Sequence, residues 1–300
     1  MFSMDEWKAK GQAFKFNNND IFYTDEGQGP LILCIHGYPS SSWDWNKVWS
    51  ELTKDHRVIT LDMLGFGFSS KPKDHQYSIN EQADIHIELL KFLEIQSFHV
   101  FAHDFGIFVG QELVARYDNN ELQSLNINSL CAMSGSIFPE LYNPRLIQRL
   151  LLSPIGWLVE KLFSENKFRK SLSSVFGVNT QPTLEEQKSY WALLQYNAGD
   201  KIIGKLLFYI SDRKVQGQRW VDAWQDTKLP VQMIIGLADP MYGGDGIERY
   251  KALTKQKRLV CLEGIGHFPQ VESSAEVAVA YLGFIKEFES TDLKIAEEIF

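Results

Sequence analysis

Three side chains have the types and the chain order for covalent displacement chemistry: Asp104, Asp239 and His267. Asp104 lies in Phe98-His99-Val100-Phe101-Ala102-His103-Asp104-Phe105-Gly106, where an apolar run rich in β-branched and aromatic residues stops at a small residue. Two positions later comes the carboxylate, and two after that a glycine. Behind it, residues 107–115 read as a helix. The stretch predicts a strand, a tight turn and a helix, an elbow that presents its central side chain on a strained corner above a sheet. Ala102 and Gly106 are small because the helix packs hard against the strand at that corner. The usual elbow is G-x-S-x-G, and no such pentapeptide occurs in the chain.

The change of nucleophile sets the expected chemistry. A serine needs its histidine to remove a proton before attack, whereas a carboxylate with a reference pKa of about 3.9 is already ionised at neutral pH. Asp104 can therefore displace at an electrophilic sp³ carbon and form an alkyl-enzyme ester. His267, oriented by Asp239, is left to deprotonate a water that attacks the ester carbonyl. Negative charge then develops on a carboxyl oxygen of Asp104. The backbone N–H groups of Phe105 and of Tyr38, in the turn His36-Gly37-Tyr38-Pro39, are expected to receive it. His36 and Trp43 flank that turn and complete the oxyanion and substrate-binding candidates, His36 through backbone and packing rather than as a base. Asp62 is expected to cap and tie the loop that holds Gly65 and Gly67.

Placing these groups requires a particular set of elements. Asn17-Asn18-Asn19-Asp20 is a turn between two short strand-like runs and predicts an opening hairpin. Residues 31–35 are a continuous apolar run of the kind covered on both faces of a sheet, and 57–61 read as the next buried strand. Residues 42–52 and 80–93 read as helices, followed by the elbow strand and a further strand over 124–133. From about 140 to 226 the pattern is helical only, rich in Leu, Trp, Phe and Tyr. Strand runs return at 231–236 and 258–262, with a closing helix over 275–288. The alternation predicts an α/β fold, a mostly parallel central sheet flanked by helices with an inserted all-helical cap. The expected division is a core over 1–137, a cap over 138–226 and the rest of the core over 227–300. Asp239, in Leu237-Ala238-Asp239-Pro240, and His267, in Gly264-Ile265-Gly266-His267-Phe268, each follow a strand run, as Asp104 does. All three thus fall past carboxyl ends of predicted parallel strands, where open α/β sheets place their sites.

Composition narrows the partners. A formal charge of −8, with no basic stripe, argues against nucleic acid. The amino terminus has neither a basic nor an apolar leader pattern, and the apolar stretch at 150–159 is broken by Pro154, too short for a membrane span. The three cysteines, Cys34, Cys131 and Cys261, sit in predicted strands and are read as buried free thiols of a reducing, cytoplasmic compartment. No two of them share ligand spacing with a histidine, so no metal is expected. His56, His75, His86 and His99 are read as surface or helix-face residues. The expected partners are an apolar small molecule and water, with no cofactor and a monomer or homodimer.

The chain resembles α/β-hydrolases of the epoxide hydrolase and haloalkane dehalogenase branch. The resemblance rests on His36-Gly37-Tyr38-Pro39, Asp62-x-x-Gly65-x-Gly67-x-Ser69, the His103-Asp104-Phe105-Gly106 elbow, Asp239 and Gly266-His267. Within that branch it is similar to the mesoderm-specific transcript proteins through Trp43-Asp44-Trp45, Phe66-Gly67-Phe68-Ser69, Ser136-Ile137-Phe138-Pro139-Glu140 and Arg219-Trp220-Val221. The resemblance implies an aspartate nucleophile and a lid that assists the leaving group. Epoxide opening needs proton donors, usually tyrosines; dehalogenation needs N–H donors for a halide. Phe105 has no ring N–H, and Tyr38 stands where a dehalogenase carries asparagine or glutamate, so the epoxide reading is favoured and dehalogenation is the alternative. A ligand-binding protein without catalysis is a third reading. Phe208-Tyr209-Ile210-Ser211-Asp212-Arg213 resembles the segment carrying one lid tyrosine, which makes Tyr209 the candidate acid or else a packing residue. The second lid tyrosine has no clear match: Tyr142 is nearest, with Tyr190 and Tyr196 later. Trp157, Trp191, Trp220 and Trp224 either pack the lid or include a halide cradle.

Overall fold

The elbow strand lies inside the sheet, with parallel neighbours on both sides. In the computed structural model the strands are β1 (Gln12–Phe16), β2 (Asn19–Glu26), β3 (Leu31–Ile35), β4 (Arg57–Leu61), β5 (Ser97–His103), β6 (Asn126–Met133), β7 (Val231–Gly236) and β8 (Leu259–Leu262). They form one sheet in the order β1-β2-β4-β3-β5-β6-β7-β8. The β1–β2 and β2–β4 pairs are antiparallel and every other pair is parallel. The structure describes residues 1–135, 137–138, 140, 146–161, 163–241, 244–253 and 258–298, without the side chains of 157, 244–245 and 290–298. No helix among the described residues is long and apolar enough to cross a membrane.

The central strands are buried along almost their whole length, as largely apolar runs require: all five residues of β3 are buried, and so are six of the seven in β5. Helices α1 (Met4–Lys10), α2 (Trp49–Leu52), α3 (Ile79–Phe92) and α4 (Gly106–Asp118) precede β6. Between β6 and β7 the described residues hold only helical elements. These are α5 (Leu146–Leu151), α6 (Gly156–Lys161), α7 (Glu165–Ser173), α8 (Leu184–Gln195), the 3₁₀ segments Tyr196–Lys201 and Lys205–Phe208, and α9 (Tyr209–Asp226). After them come α10 (Gly244–Leu253), α11 (Pro269–Glu272) and α12 (Ser274–Glu298).

The helical insertion is fastened to the core through the elbow helix. On α4, Glu112 is buried and accepts from Arg116 Nε at 2.8 Å, from Trp220 Nε1 of α9 at 2.8 Å and from Arg219 Nη1. The preceding residue, Gln111, donates from Nε2 to the Trp220 carbonyl at 3.0 Å. The same helix that supports the corner at residue 104 therefore carries the insertion.

Three expectations need correction. Residues 42–52 form a 3₁₀ turn, Ser42–Trp45, and then the short α2, not one helix. Asn46 Nδ2 donates to the Trp43 carbonyl at 2.7 Å and ends the first turn, and Trp43, Trp45 and Trp49 are all buried. Cys261 is exposed, because β8 is an edge strand paired on one side only; Cys34 and Cys131 are buried. His86 and His99 are buried rather than superficial, each with a partner inside: His86 Nδ1 meets the Gln82 carbonyl at 2.7 Å, and His99 Nδ1 meets Ser129 Oγ at 2.8 Å. His56 is buried as well, against Glu289 at 3.1 Å.

Candidate active site

Asp104 follows the last residue of β5 with φ +47°, a left-handed backbone that a residue with a Cβ adopts only under constraint. The constraint is visible on both sides. Its N–H donates to the Met133 carbonyl at the end of β6 at 3.1 Å, and its carbonyl accepts from Ile107 in the first turn of α4 at 3.1 Å. A Cβ on Gly106 would stand 2.6 Å from the Ile35 and His36 carbonyl oxygens, so the elbow requires glycine there.

The two carboxyl oxygens of Asp104 have different surroundings. Oδ2 accepts from the Tyr38 backbone N–H at 3.0 Å, and Oδ1 faces His267 Nε2 at 3.4 Å. His267 Nδ1 meets Asp239 Oδ2 at 2.7 Å, which fixes the ring with Nδ1–H toward the acid and Nε2 toward Asp104. Asp239 is in turn held by the Met241 N–H, which donates to Oδ1 at 2.7 Å. The loops carrying acid and histidine are joined directly, with the Ala238 N–H donating to the Ile265 carbonyl at 2.8 Å. Asp104, Asp239 and His267 are thus brought together at the carboxyl ends of β5, β7 and β8.

Electrostatics follow from this packing. Burial pushes the Asp104 carboxyl up, but the facing His267, with help from His103 and the Tyr38 N–H, outweighs it and holds the carboxyl at about 2. Burial lowers the His267 imidazolium, and the carboxylates of Asp239 and Asp104 reverse that and raise it well above its ordinary value. Asp44, a neighbouring buried carboxyl bonded to Ser40 Oγ, is pushed up by burial to about 8. At neutral pH it is protonated and adds no charge against Asp104.

The remaining candidates separate into those at the site and those behind it. Tyr38 lines a cavity of about 550 Å³ together with Asp104, His267 and Tyr209. Tyr209, at the start of α9, is buried, and its Oη accepts from Gln148 Nε2 of α5 at 3.0 Å. Phe105 is fully buried against Phe66, Phe208 and Tyr209 and does not line the cavity. His36 is also behind the wall. Its Nδ1 meets the Gly37 carbonyl at 2.8 Å and its Nε2 accepts from the Met63 N–H at 3.0 Å, so it ties the Tyr38 turn to the following loop; burial pushes it down to about 4. Trp43 is buried away from the cavity, with Nε1 donating to the Phe2 carbonyl at 3.1 Å. Asp62 accepts from the Ser42 N–H at 2.7 Å and the Phe68 N–H at 2.6 Å, the loop-tying role expected of it.

Tyr142 and the Trp157 side chain lie outside the described residues. Tyr190 is buried on α8 beside Asp44, and Tyr196 stacks edge-on with Phe68; neither lines the cavity. Trp191, Trp220 and Trp224 do not line it either. Two cavity residues have no obvious signal in the sequence. Gln148 is a polar residue among leucines and isoleucines of α5, and Arg213 is buried with its guanidinium 4.6 Å from the Phe108 ring centroid and Nη2 donating to the Phe138 carbonyl at 2.9 Å. A polar residue on the apolar face of a helix was the only hint. Most of the remaining lining is apolar, with Ile147, Leu151, Val159, Phe163 and Leu172 from α5 to α7, and Lys167 and Ser171 of α7 add polar groups.

Comparison with known proteins gives the family and the fold. Residues 30–274 match the alpha/beta hydrolase fold family. The mouse mesoderm-specific transcript protein is 40% identical over 300 residues, covering 95% of this chain and 89% of the relative. A putative hydrolase, LipZ, of Mycobacterium tuberculosis is 33% identical over 284 residues, covering 94% of this chain and 98% of the relative. Among solved structures, a haloalkane dehalogenase DbeA variant from Bradyrhizobium elkanii superposes with a TM-score of 0.78 at 19% identity, covering 95% of this chain and 98% of that one. The epoxide hydrolase VrEH1 from Vigna radiata gives 0.71 at 21%, covering 95% and 100%. At those identities the superpositions speak for the fold.

Proposed function

The chain belongs to the α/β-hydrolase family, and on that premise we propose that it hydrolyses an apolar small molecule through an alkyl ester on Asp104, with an epoxide as the favoured electrophile. The observation that carries this reading is the unequal setting of the Asp104 oxygens. Oδ2 already sits on a backbone N–H donor, where charge must later be received, and Oδ1 is turned toward the base.

In this reading Oδ1 attacks a ring carbon, the C–O bond breaks, and the alkoxide takes the proton of Tyr209. The Tyr209 Oη accepts from Gln148, which favours donation of its own proton. With the Asp104 charge gone, His267 releases its Nε2 proton to solvent, to be regained when the carboxylate is restored; the neutral Nε2 then removes a proton from water, and hydroxide adds to Cγ of Asp104. The negative charge falls on Oδ2, against the Tyr38 N–H and, in the proposal, that of Phe105. Collapse releases the diol oxygen, which takes the proton from His267. The new carboxylic acid of Asp104 gives up its proton, restoring Tyr209, and the enzyme returns to its starting state. Helices α5 to α9 act as the cap that supplies the acid and the apolar wall.

Dehalogenation is the second reading. It is weakened by the absence of any described indole on the cavity wall, since a halide needs N–H donors. Diol formed from a panel of alkyl and aryl epoxides supports the proposal. Bromide released from dibromoalkanes with no diol transfers it to dehalogenation. Silence in both panels, with apolar ligands still raising Tm, leaves a binding protein.

A further inference from the structure

One carboxylate joins the histidine loop to the insertion. Glu272 Oε2 accepts from the Gly266 N–H at 2.8 Å, from the Gly177 N–H at 2.8 Å and from the Thr180 hydroxyl at 2.5 Å, while Oε1 accepts from the Phe268 N–H at 3.0 Å. Gly266 and Phe268 are the two chain neighbours of His267. Gly177 and Thr180 belong to the stretch between α7 and α8. A carboxylate has about four acceptor positions, and here two serve the loop and two serve the insertion.

The backbones also touch along this seam. The His267 N–H donates to the Val175 carbonyl at 2.8 Å. A Cβ on Gly266 would stand 2.4 Å from that carbonyl oxygen, and one on Gly177 would stand 2.0 Å from the Gly264 carbonyl oxygen. Phe176 stacks on Phe268 with ring centroids 5.1 Å apart and planes 16° from parallel. Val175 and Phe268 both line the cavity.

We propose that Glu272 is a positioning residue that makes the reach of His267 toward Asp104 depend on how residues 175–180 of the insertion are seated, so that the base is in register only when the cavity is covered. A shift of the insertion turns the carboxylate, and the carboxylate carries the amides on both sides of His267. The contact is already long: Nε2 is 3.4 Å from Asp104 Oδ1, and a further misplacement of about 1 Å can slow a reaction on the order of 10²-fold. The consequence for turnover rests on the proposed ester chemistry. There His267 acts only after the ester exists, so a loosened seam slows ester hydrolysis and spares ester formation.

Thr180→Val tests this, because it removes a hydroxyl on the insertion side and leaves residues 264–268 unaltered. Hydrogen exchange followed by mass spectrometry on the full chain, without substrate, is expected to quicken in both 175–181 and 264–268, by about 3- to 10-fold, the effect of one lost hydrogen bond. During turnover of an epoxide, the ester-bound fraction of Asp104 is expected to rise with its rate of formation unchanged. Glu272→Gln, which replaces an acceptor oxygen by a donor, is expected to do the same more strongly; if it does not fold, Thr180→Val carries the test. Faster exchange confined to 175–181 overturns the proposal, as does an equal loss in ester formation and hydrolysis. Faster exchange in both segments with no ester on the unaltered protein supports the coupling and removes the chemical reading alone.

Discussion

Nε2 of His267 stands 3.4 Å from Oδ1 of Asp104, beyond ordinary hydrogen-bond length, while Nδ1 of the same ring meets Asp239 at 2.7 Å. The imidazole is thus anchored by the acid and only loosely engaged by the nucleophile. It can stay where it is when Oδ1 becomes an ester oxygen, and the side chain that faced a carboxylate then faces an electrophilic carbonyl carbon.

The pH dependence follows from that switch. Burial lowers the His267 imidazolium, but the Asp239 and Asp104 carboxylates raise it well above its ordinary 6.5. Its proton therefore stabilises the resting fold below that ordinary value, a contribution lost as pH rises through the raised one. Ester formation removes the Asp104 charge and one of the two supports. Turnover limited by ester hydrolysis is therefore expected to show an acid limb at lower pH than the titration of His267 in the resting protein. NMR titration of the ring against the kcat profile checks this, and coincident values contradict it.

Asp104 has the opposite sign. Its carboxyl moves from an ordinary 3.8 to about 2, so its ionised form stabilises the fold above about 3.8 and that contribution is lost as pH falls through about 2. Asp104→Asn is expected to flatten this part of the acid unfolding curve, read by circular dichroism. An unchanged curve contradicts the pairing with His267.

Asp239→Asn keeps the shape of the acid but lets the ring adopt the wrong tautomer. Ester hydrolysis is expected to fall by about 10³- to 10⁴-fold, by analogy with the effect of the same change in serine hydrolases. Ester formation should persist in rapid-quench mass spectrometry. Loss of both steps would mean that Asp239 holds more than the base.

Tyr209→Phe removes the proposed donor while keeping the ring against Phe105 and Phe108. Ester formation from epoxides is expected to slow by roughly 10²-fold, the low end for general-acid assistance. The loss should shrink for an electrophile whose leaving group needs no proton. Equal slowing with both types assigns Tyr209 to packing.

Glu112→Ala strips the acceptor shared by Arg116, Arg219 and Trp220, so α9 loses its polar fastening to the elbow helix. The expected destabilisation is about 2–3 kcal/mol, kept below the usual cost of breaking a buried pair because Arg219 is about a third exposed. Urea unfolding measures it, and a change under 0.5 kcal/mol, within the ordinary range for surface substitutions, contradicts it.

What could be read in the chain was whatever local pattern determines. Short, largely apolar runs marked β3, β4, β5 and β7, and the small residues around Asp104 marked the elbow, because sterics there act over a few positions. The order of Asp104, Asp239 and His267 did the same for the site. Long-range contacts left no such trace. Trp43 proved to be behind the wall, since motif proximity says nothing about which way a side chain turns, whereas His36 stands there in the packing role read for it. Gln148 and Arg213 act within the insertion, on partners 61 and 75 positions away, and Glu272 acts across the boundary between core and insertion, on a partner 95 positions away; no window of sequence contains both ends.

The most direct test is to stop the cycle between its two halves. His267→Gln, incubated with the epoxide that the unaltered protein turns over best, is expected to gain the mass of one epoxide, with the adduct mapped to the peptide containing Asp104 and absent from Asp104→Asn. A folded His267→Gln protein that gains no mass with any epoxide or haloalkane, or gains it on another residue, would contradict the assignment of Asp104 as nucleophile.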